Sequence, residues 1–183
     1  MARRSRNSGF TLVEVLVVLL VLMILQNTAV PALVGISNSA KVSSATSNLF
    51  SGLTLARSEA IKRGSRSVLC KSADGLVCAP SGDWGQGWIV FHDANNNGDV
   101  DIDELVLARE GELSSSIRLA GNTPVKSYVS YTPTGAAEYT SGAFQAGTFT
   151  VCARSAGAAE TRKIVISSSG RPRVAKSTEA QCL

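Results

Sequence analysis

The chain has 183 residues, enough for one helix and one domain with its own core. Its formal net charge of +4 overstates its basicity. Three of the 18 basic residues, Arg3, Arg4 and Arg6, lie in the first six positions, and without them the balance is +1. Bulk charge therefore excludes polyanion binding as a property of the whole chain; such a surface has to come from local clustering.

After the basic leader MARRSRNSG the sequence turns apolar, GFTLVEVLVVLLVLMIL over 9–25. That run is short for a bilayer. It resumes as AVPALV after Gln26, Asn27 and Thr28, which brings it near the roughly 20 residues a span needs. Arginines before the run and mixed charge after it predict a cytoplasmic leader and an exported remainder. A secretory signal peptide needs a small-residue cleavage site, and Gln26-Asn27-Thr28-Ala29 is a poor one. Glu14 is the one carboxylate in the run. Deep in lipid it requires a partner; lying shallow, near the headgroups, it does not.

G-F-T-L-V-E, after a basic leader and before an apolar helix, resembles the class III signal of type IV pilins and type II secretion pseudopilins. The resemblance implies cleavage between Gly9 and Phe10 by a prepilin peptidase, and N-methylation of Phe10. It also implies that Glu14 pairs with the N-terminal amine of a neighbouring subunit during assembly, since two charges in lipid are tolerable only as a pair. Pro31 falls where such helices commonly carry a kinking proline. The expected organisation is a leader over 1–9, a transmembrane helix over 10–34, its periplasmic continuation over 35–64 and a β-rich domain over 65–183. The expected location is a single pass in the inner membrane with the domain in the periplasm, then the pilus or cell surface after assembly.

Residues 36–63 contain no proline, and apolar or small residues recur at helical spacing. Ile36, Ala40, Ser43, Ser47, Phe50, Leu53 and Ala60 form one stripe; Val42, Leu49, Ala56 and Ile61 form another. Lys62 and Arg63 suit a helix C-terminus, and Gly64 suits its cap. Beyond Gly64 the period falls to two. Strands are expected at 65–70, 87–91, 104–110, 116–121, 126–132, 147–153 and 162–167, separated by Gly, Asn, Pro and Ser clusters. One long helix followed by short strands predicts an α+β fold, a helical stalk leading to an antiparallel, β-sandwich-like domain.

Cys70, Cys78, Cys152 and Cys182 match neither C-x-x-C redox spacing nor a zinc pattern. An even count in an exported domain points to two disulfides. Of three possible pairings, Cys70–Cys78 closes a short loop and Cys152–Cys182 ties the C-terminal tail to a strand; these are the favoured pair. Between them lies DANNNGDVDIDE, 93–104. Asp93, Asn95, Asn97, Asp99 and Glu104, with Gly98 and Asp101, satisfy the spacing of a calcium-binding loop. Such a loop needs flanking helices, and here both flanks read as strands. The alternative is an acidic hairpin connection, and GWIVFHDANNNGDVD is similar to a structural hairpin of the GspH/FimT branch of minor pilins. No cofactor is expected; calcium, if taken, would bind weakly, at about 10⁻⁴–10⁻³ M.

Six basic residues, Arg154, Arg162, Lys163, Arg171, Arg173 and Lys176, face one acid, Glu160, between positions 154 and 176. From Asp93 to Glu112 seven acids face Arg109 alone. In SSSGRPRVAK, 167–176, a flexible turn at Gly170 can hold Arg171 and Arg173 apart for successive phosphates, with Pro172 as stiffener. The bland alternative is that these arginines solubilise an edge strand. G-R-P-R before a C-terminal cysteine resembles the GRxR motif of FimT-type minor pilins. That resemblance implies double-stranded DNA as a partner in natural transformation, bound at Gly170, Arg171 and Arg173 with Arg154, Arg162, Lys163 and Lys176 nearby. The other partners it implies are major and minor pilins. The competing reading is a type II secretion minor pseudopilin, a structural subunit at the pseudopilus tip. Catalysis is not expected: His92 is the only histidine, and no nucleophile, phosphate-loop or metal-triad motif accompanies it.

Overall fold

The structure, a computed structural model, describes residues 10–154 and 161–177; over 27–32 it describes the backbone alone. The chain divides into two compact units, Met1–Ser37 and Asn38–Leu183. Helix α1, Leu12–Arg63, contributes to both and runs through position 31 without a break.

In the first unit the apolar side chains of Phe10, Leu12, Val13 and Val15 to Leu25 are all exposed. They surround the helix rather than forming a stripe, which is the pattern of a helix whose partners lie outside its own chain. No helix among the described residues is long and apolar enough to cross a membrane.

In the second unit α1 is amphipathic. Its buried seam is Val42, Ala45, Leu49, Leu53, Ala56 and Ala60, a three- and four-residue alternation that draws on both expected stripes and adds Ala45, which belonged to neither. Ala40 and Ser47 are exposed, as is Ile61, so they leave the seam. Ile36, in the first unit, is exposed too. Small residues set the distance to the strands: a Cβ on Gly52 would lie 2.9 Å from Leu69 Cδ1 and 3.1 Å from Trp88 Nε1. The helix ends as expected, with Lys62 and Arg63 in the last turn and Gly64 at φ +63°.

Eight strands follow: β1 Arg66–Lys71, β2 Trp88–Asp93, β3 Val106–Glu110, β4 Ile117–Gly121, β5 Tyr128–Tyr131, β6 Gly147–Ala153, β7 Thr161–Ile166 and β8 Pro172–Ser177. They form two antiparallel four-stranded sheets, ordered β3-β2-β1-β5 and β4-β6-β7-β8. The α+β expectation holds. β8 is absent from the strands expected by period; the favoured reading had a flexible arginine-bearing turn there, and the structure has the edge strand of the alternative. Its side chains are all exposed or half-buried, so no apolar alternation marks it, and proline is tolerated as the first residue of an edge strand.

One core takes side chains from α1 and from both sheets, including Leu49, Leu53, Trp88, Val90, Phe149 and Ile164. Trp84 packs edge-on against Phe149, centroids 5.0 Å apart, and donates Nε1–H to the Val125 carbonyl at 3.0 Å. Buried aromatics of this kind find a partner for their polar atom. A second, smaller core occupies the opposite face of the first sheet: Val68, Cys70, Ile89 and Phe91, roofed by Cys78, Val100, Val106 and Tyr128. That sheet is therefore covered on both faces: every residue of β1 and all but His92 of β2 are buried. One face of the second sheet packs into the core, and β4 and β6 alternate as far as Val151; Cys152 and Thr161, on the other face, are buried as well.

Cys70 and Cys78 form a disulfide, Cα–Cα 5.6 Å, which clamps the loop after β1 over the second core. The expected Cys152–Cys182 pairing ends on residue 182, outside the described residues, as does Gly9.

Candidate functional site

Helix α1 begins with a reciprocal pair. Thr11 Oγ1 accepts the Glu14 backbone N–H at 3.3 Å, and Glu14 Oε2 accepts the Thr11 backbone N–H at 3.4 Å. This is a capping box, T-x-x-E, satisfying donors that a helix start leaves open. Thr11 was overlooked in the sequence, although its three-residue spacing to Glu14 is the signature of this cap. Glu14 therefore has a partner within its own first turn.

The acidic loop, 93–104, joins β2 to β3, and strands flank it on both sides. Its carboxylates are turned onto its own amides. Asp93 Oδ1 accepts from Asn97 N at 3.1 Å and Oδ2 from Gly98 N at 3.0 Å; Glu104 Oε1 accepts from Ala94 N at 2.8 Å and Oε2 from Asp101 N at 3.2 Å. Asp101 Oδ2 takes the side-chain amides of Asn95 at 2.7 Å and Asn97 at 2.8 Å. Asn97 Oδ1 accepts from Asp99 N at 2.8 Å. Asn96 at φ +63° and Gly98 at φ +83° supply the left-handed residues that the turn requires. Asp93 is buried, which raises its pKa; the charge of Glu104 adds to the rise, and the loop amides oppose it. No three His, Cys, Asp or Glu side chains converge on a metal position among the described residues. The loop's side chains thus satisfy its own amides, and Val100 packs over the second core.

His92 Nε2 lies 2.5 Å from Ser65 Oγ, at the end of β2.

The basic residues of 154–176 do not form one cluster. Strand parity divides them. On β7, Ile164 and Ile166 point into the core, and Arg162 shares their side. Its Nη1 donates to Ser43 Oγ on α1 at 2.9 Å. Lys176 stands opposite Arg162 in the ladder and so faces the same way. Lys163 and Val165 point to the outward face, and Arg173, opposite Val165, joins them. Arg154 follows β6 and turns elsewhere: its Nε–H donates to the Ile117 carbonyl at 3.3 Å, and its Nη2 sits 3.7 Å from Asp83 Oδ2.

Arg171 is exposed in the connection between β7 and β8, and Arg173 is exposed on β8. Gly170 between the strands is buried and does not present itself to a ligand. It has φ +74°, and a Cβ there would lie 2.0 Å from the Gly135 carbonyl oxygen and 3.1 Å from Ala137 N. Ala137 N donates to the Ser168 carbonyl at 3.3 Å, and Gly170 N to that of Ser167 at 2.8 Å. The Gly135 carbonyl in turn accepts Arg57 Nε–H from α1 at 3.0 Å. The turn is thus docked, through the 132–137 loop, onto the helix. This corrects the expectation of a flexible turn: only a residue without a Cβ fits where the two backbones meet.

A family model described as type II transport protein GspH matches residues 45–170. The chain belongs to the GspH family. A second model, the prokaryotic N-terminal methylation motif, matches residues 4–25. Among solved structures, the type IV minor pilin FimU of Pseudomonas aeruginosa aligns with a TM-score of 0.55 at 20% identity, over 78% of this chain and 92% of that one. The minor pseudopilin EpsH of the Vibrio cholerae type 2 secretion system aligns with a TM-score of 0.53 at 12% identity, over 76% and 99%. No curated protein matches the chain. At these identities the two structures establish the fold, and they come from both systems. This GspH-family chain is a minor pilin or pseudopilin of a type IV pilus or type II secretion system, a structural subunit rather than an enzyme.

Proposed function

We propose that this GspH-family protein is a minor type IV pilin that enters the filament through its N-terminal helix and binds double-stranded DNA for uptake. Prepilin peptidase removes residues 1–9, Phe10 becomes the methylated N-terminus, and the helix over 10–34 holds the protein in the inner membrane with its domain periplasmic. The exposed apolar surface from Phe10 to Leu25 supports this part, because such a surface needs lipid or neighbouring helices around it. The observation that carries DNA binding is the exposed pair Arg171 and Arg173 on a docked turn and an edge strand. Their sheet contributes no aspartate or glutamate from any of its four strands.

Contacts would go mainly to phosphates, since two arginines with proline between them offer little to read base edges. Binding is then nearly sequence-independent and strongly salt-dependent. The test is titration of the full chain, in nonionic detergent, with a random-sequence duplex at several salt concentrations. Arg171→Gln with Arg173→Gln should weaken binding and lower the salt slope by about two. Equal affinity for wild type and the double variant would remove the pair as the site. The family description favours a second reading, a secretion pseudopilin with a structural role, and absence of duplex binding at low salt would select it.

A further inference from the structure

We propose that the cleft between the disulfide loop and the acidic hairpin is a binding site for a neutral saccharide. It is built on the first sheet, whereas the arginine pair belongs to the second, and it does not depend on the duplex-binding reading.

Cys70 on β1 and Tyr128 on β5 are partners in the ladder, so their side chains stand together on the face of the second, smaller core. Both line a cleft of about 330 Å³, within the size range of small-ligand sites. Three loops complete it. The loop after β1 brings Cys78, Ala79 and Pro80, tied down by the disulfide and by the 2.7 Å bond from Ala79 N to the Lys71 carbonyl. The acidic hairpin brings Asn97, Gly98 and Asp99, whose amides are held by the side chains of Asp93 and Asn97. The connection from β5 to β6 brings Thr140, which abuts the hairpin: a Cβ on Gly98 would lie 3.0 Å from its Cγ2. The lining is therefore fixed before a ligand arrives, which lowers the ordering cost of binding.

The carboxylates of the hairpin divide by use. Asp93, Asp101 and Glu104 accept bonds from the hairpin itself. The Asp99 carboxylate has no partner among the described residues, and it lines the cleft. The hydroxyls of Ser127, Tyr128 and Thr140 line it too and are equally without a protein partner among the described residues. A hydroxyl donates and accepts, whereas a carboxylate accepts only. These four groups, beside a disulfide, Ala79 and Pro80, suit a ligand with several hydroxyls and an apolar face. A pyranose ring has that make-up. No lysine or arginine lines the cleft among the described residues, and Asp99 repels anions, which excludes phosphates and acidic sugars. A simple amine would pair with Asp99 and leave the three hydroxyls and the apolar lining unused.

The experiment takes the full chain in a polyoxyethylene detergent, which carries no sugar headgroup. Saturation-transfer NMR tests the trisaccharides of glucose, galactose, mannose and N-acetylglucosamine, with sialyllactose and mannose 6-phosphate as acidic controls. At least one neutral trisaccharide should bind and neither control should. Titration of the bound trisaccharide should show Asp99→Asn weakened about tenfold and Thr140→Val about threefold. Asp103→Asn, exposed in the same hairpin but outside the cleft, should match wild type. Thermal melts report folding, and Thr140→Val reads the cleft independently if Asp99→Asn unfolds. Binding of none of the four neutral trisaccharides overturns the proposal, as does equal binding of the acidic controls. Wild-type affinity in folded Asp99→Asn and Thr140→Val, or equal losses from Asp99→Asn and Asp103→Asn, overturns it as well. Arg171→Gln with Arg173→Gln should bind the trisaccharide like wild type, so failure of the duplex reading and failure of this site are read separately.

Discussion

Gly170→Ala separates a structural glycine from a ligand-contacting one. The residue sits at φ +74°, where a side chain costs roughly 1–2 kcal/mol. The added Cβ would stand 2.0 Å from the Gly135 carbonyl oxygen, so the turn has to withdraw from the 132–137 loop. Withdrawal breaks the 3.3 Å bond from Ala137 N to the Ser168 carbonyl, worth about 1 kcal/mol. The expected destabilisation is about 2–3 kcal/mol, a fall in Tm of roughly 5–10 °C. Urea unfolding of the full chain in nonionic detergent, followed by far-ultraviolet circular dichroism, measures it. Arg171→Gln, one residue along and exposed, should stay within about 0.5 kcal/mol of wild type. A Gly170→Ala loss below about 1 kcal/mol would refute the docking of this turn.

The remaining expectations concern the other elements that the sequence singled out. Peptide mapping without reduction should link Cys70 to Cys78, and replacing both by serine should cost about 2–3 kcal/mol, the loop-closure value for a short ring. Burial raises the Asp93 pKa, so its contribution to stability is fullest below about pH 4 and is lost as pH rises through the raised value. The stability of wild type relative to Asp93→Asn, from urea midpoints, should accordingly fall between pH 4 and pH 7; a rise would contradict the sign. Calorimetry should find no micromolar calcium site in the acidic loop, and micromolar binding abolished by Asp93→Ala would show the loop to be a cation site after all. Glu14→Gln preserves the capping box with Thr11, since glutamine also closes it, but removes the charge. Entry into filaments should fail for Glu14→Gln if the carboxylate pairs with a neighbouring amine, and wild-type entry would leave capping as its role.

Period and punctuation made the helix end at Gly64 and seven of the eight strands legible, with bounds shifted by one or two residues. What escaped were features set by partners distant in sequence. β8 has no buried face, so nothing in PRVAKS alternates; it is a strand because β7 offers it a ladder. The seam of α1 draws on both expected stripes and adds Ala45, which neither contained: alanine carries a weak apolar signal, yet small residues are what lets the strands approach. The basic residues were counted along the chain, and counting cannot see parity. Arg162 and Lys163 are neighbours in sequence and face opposite sides of one strand, whereas Arg118, 45 positions before Lys163, shares its face. A β-strand reverses direction at every residue, so a charge cluster in a strand-rich segment is two clusters until the register is known. The same logic explains Gly170. Its place in G-R-P-R reads as freedom for the arginines, but the backbone of a loop some 35 residues away fills the space a side chain would take. What that glycine supplies is a fixed seat for the turn, and the orientation of Arg171 and Arg173 follows from the seat.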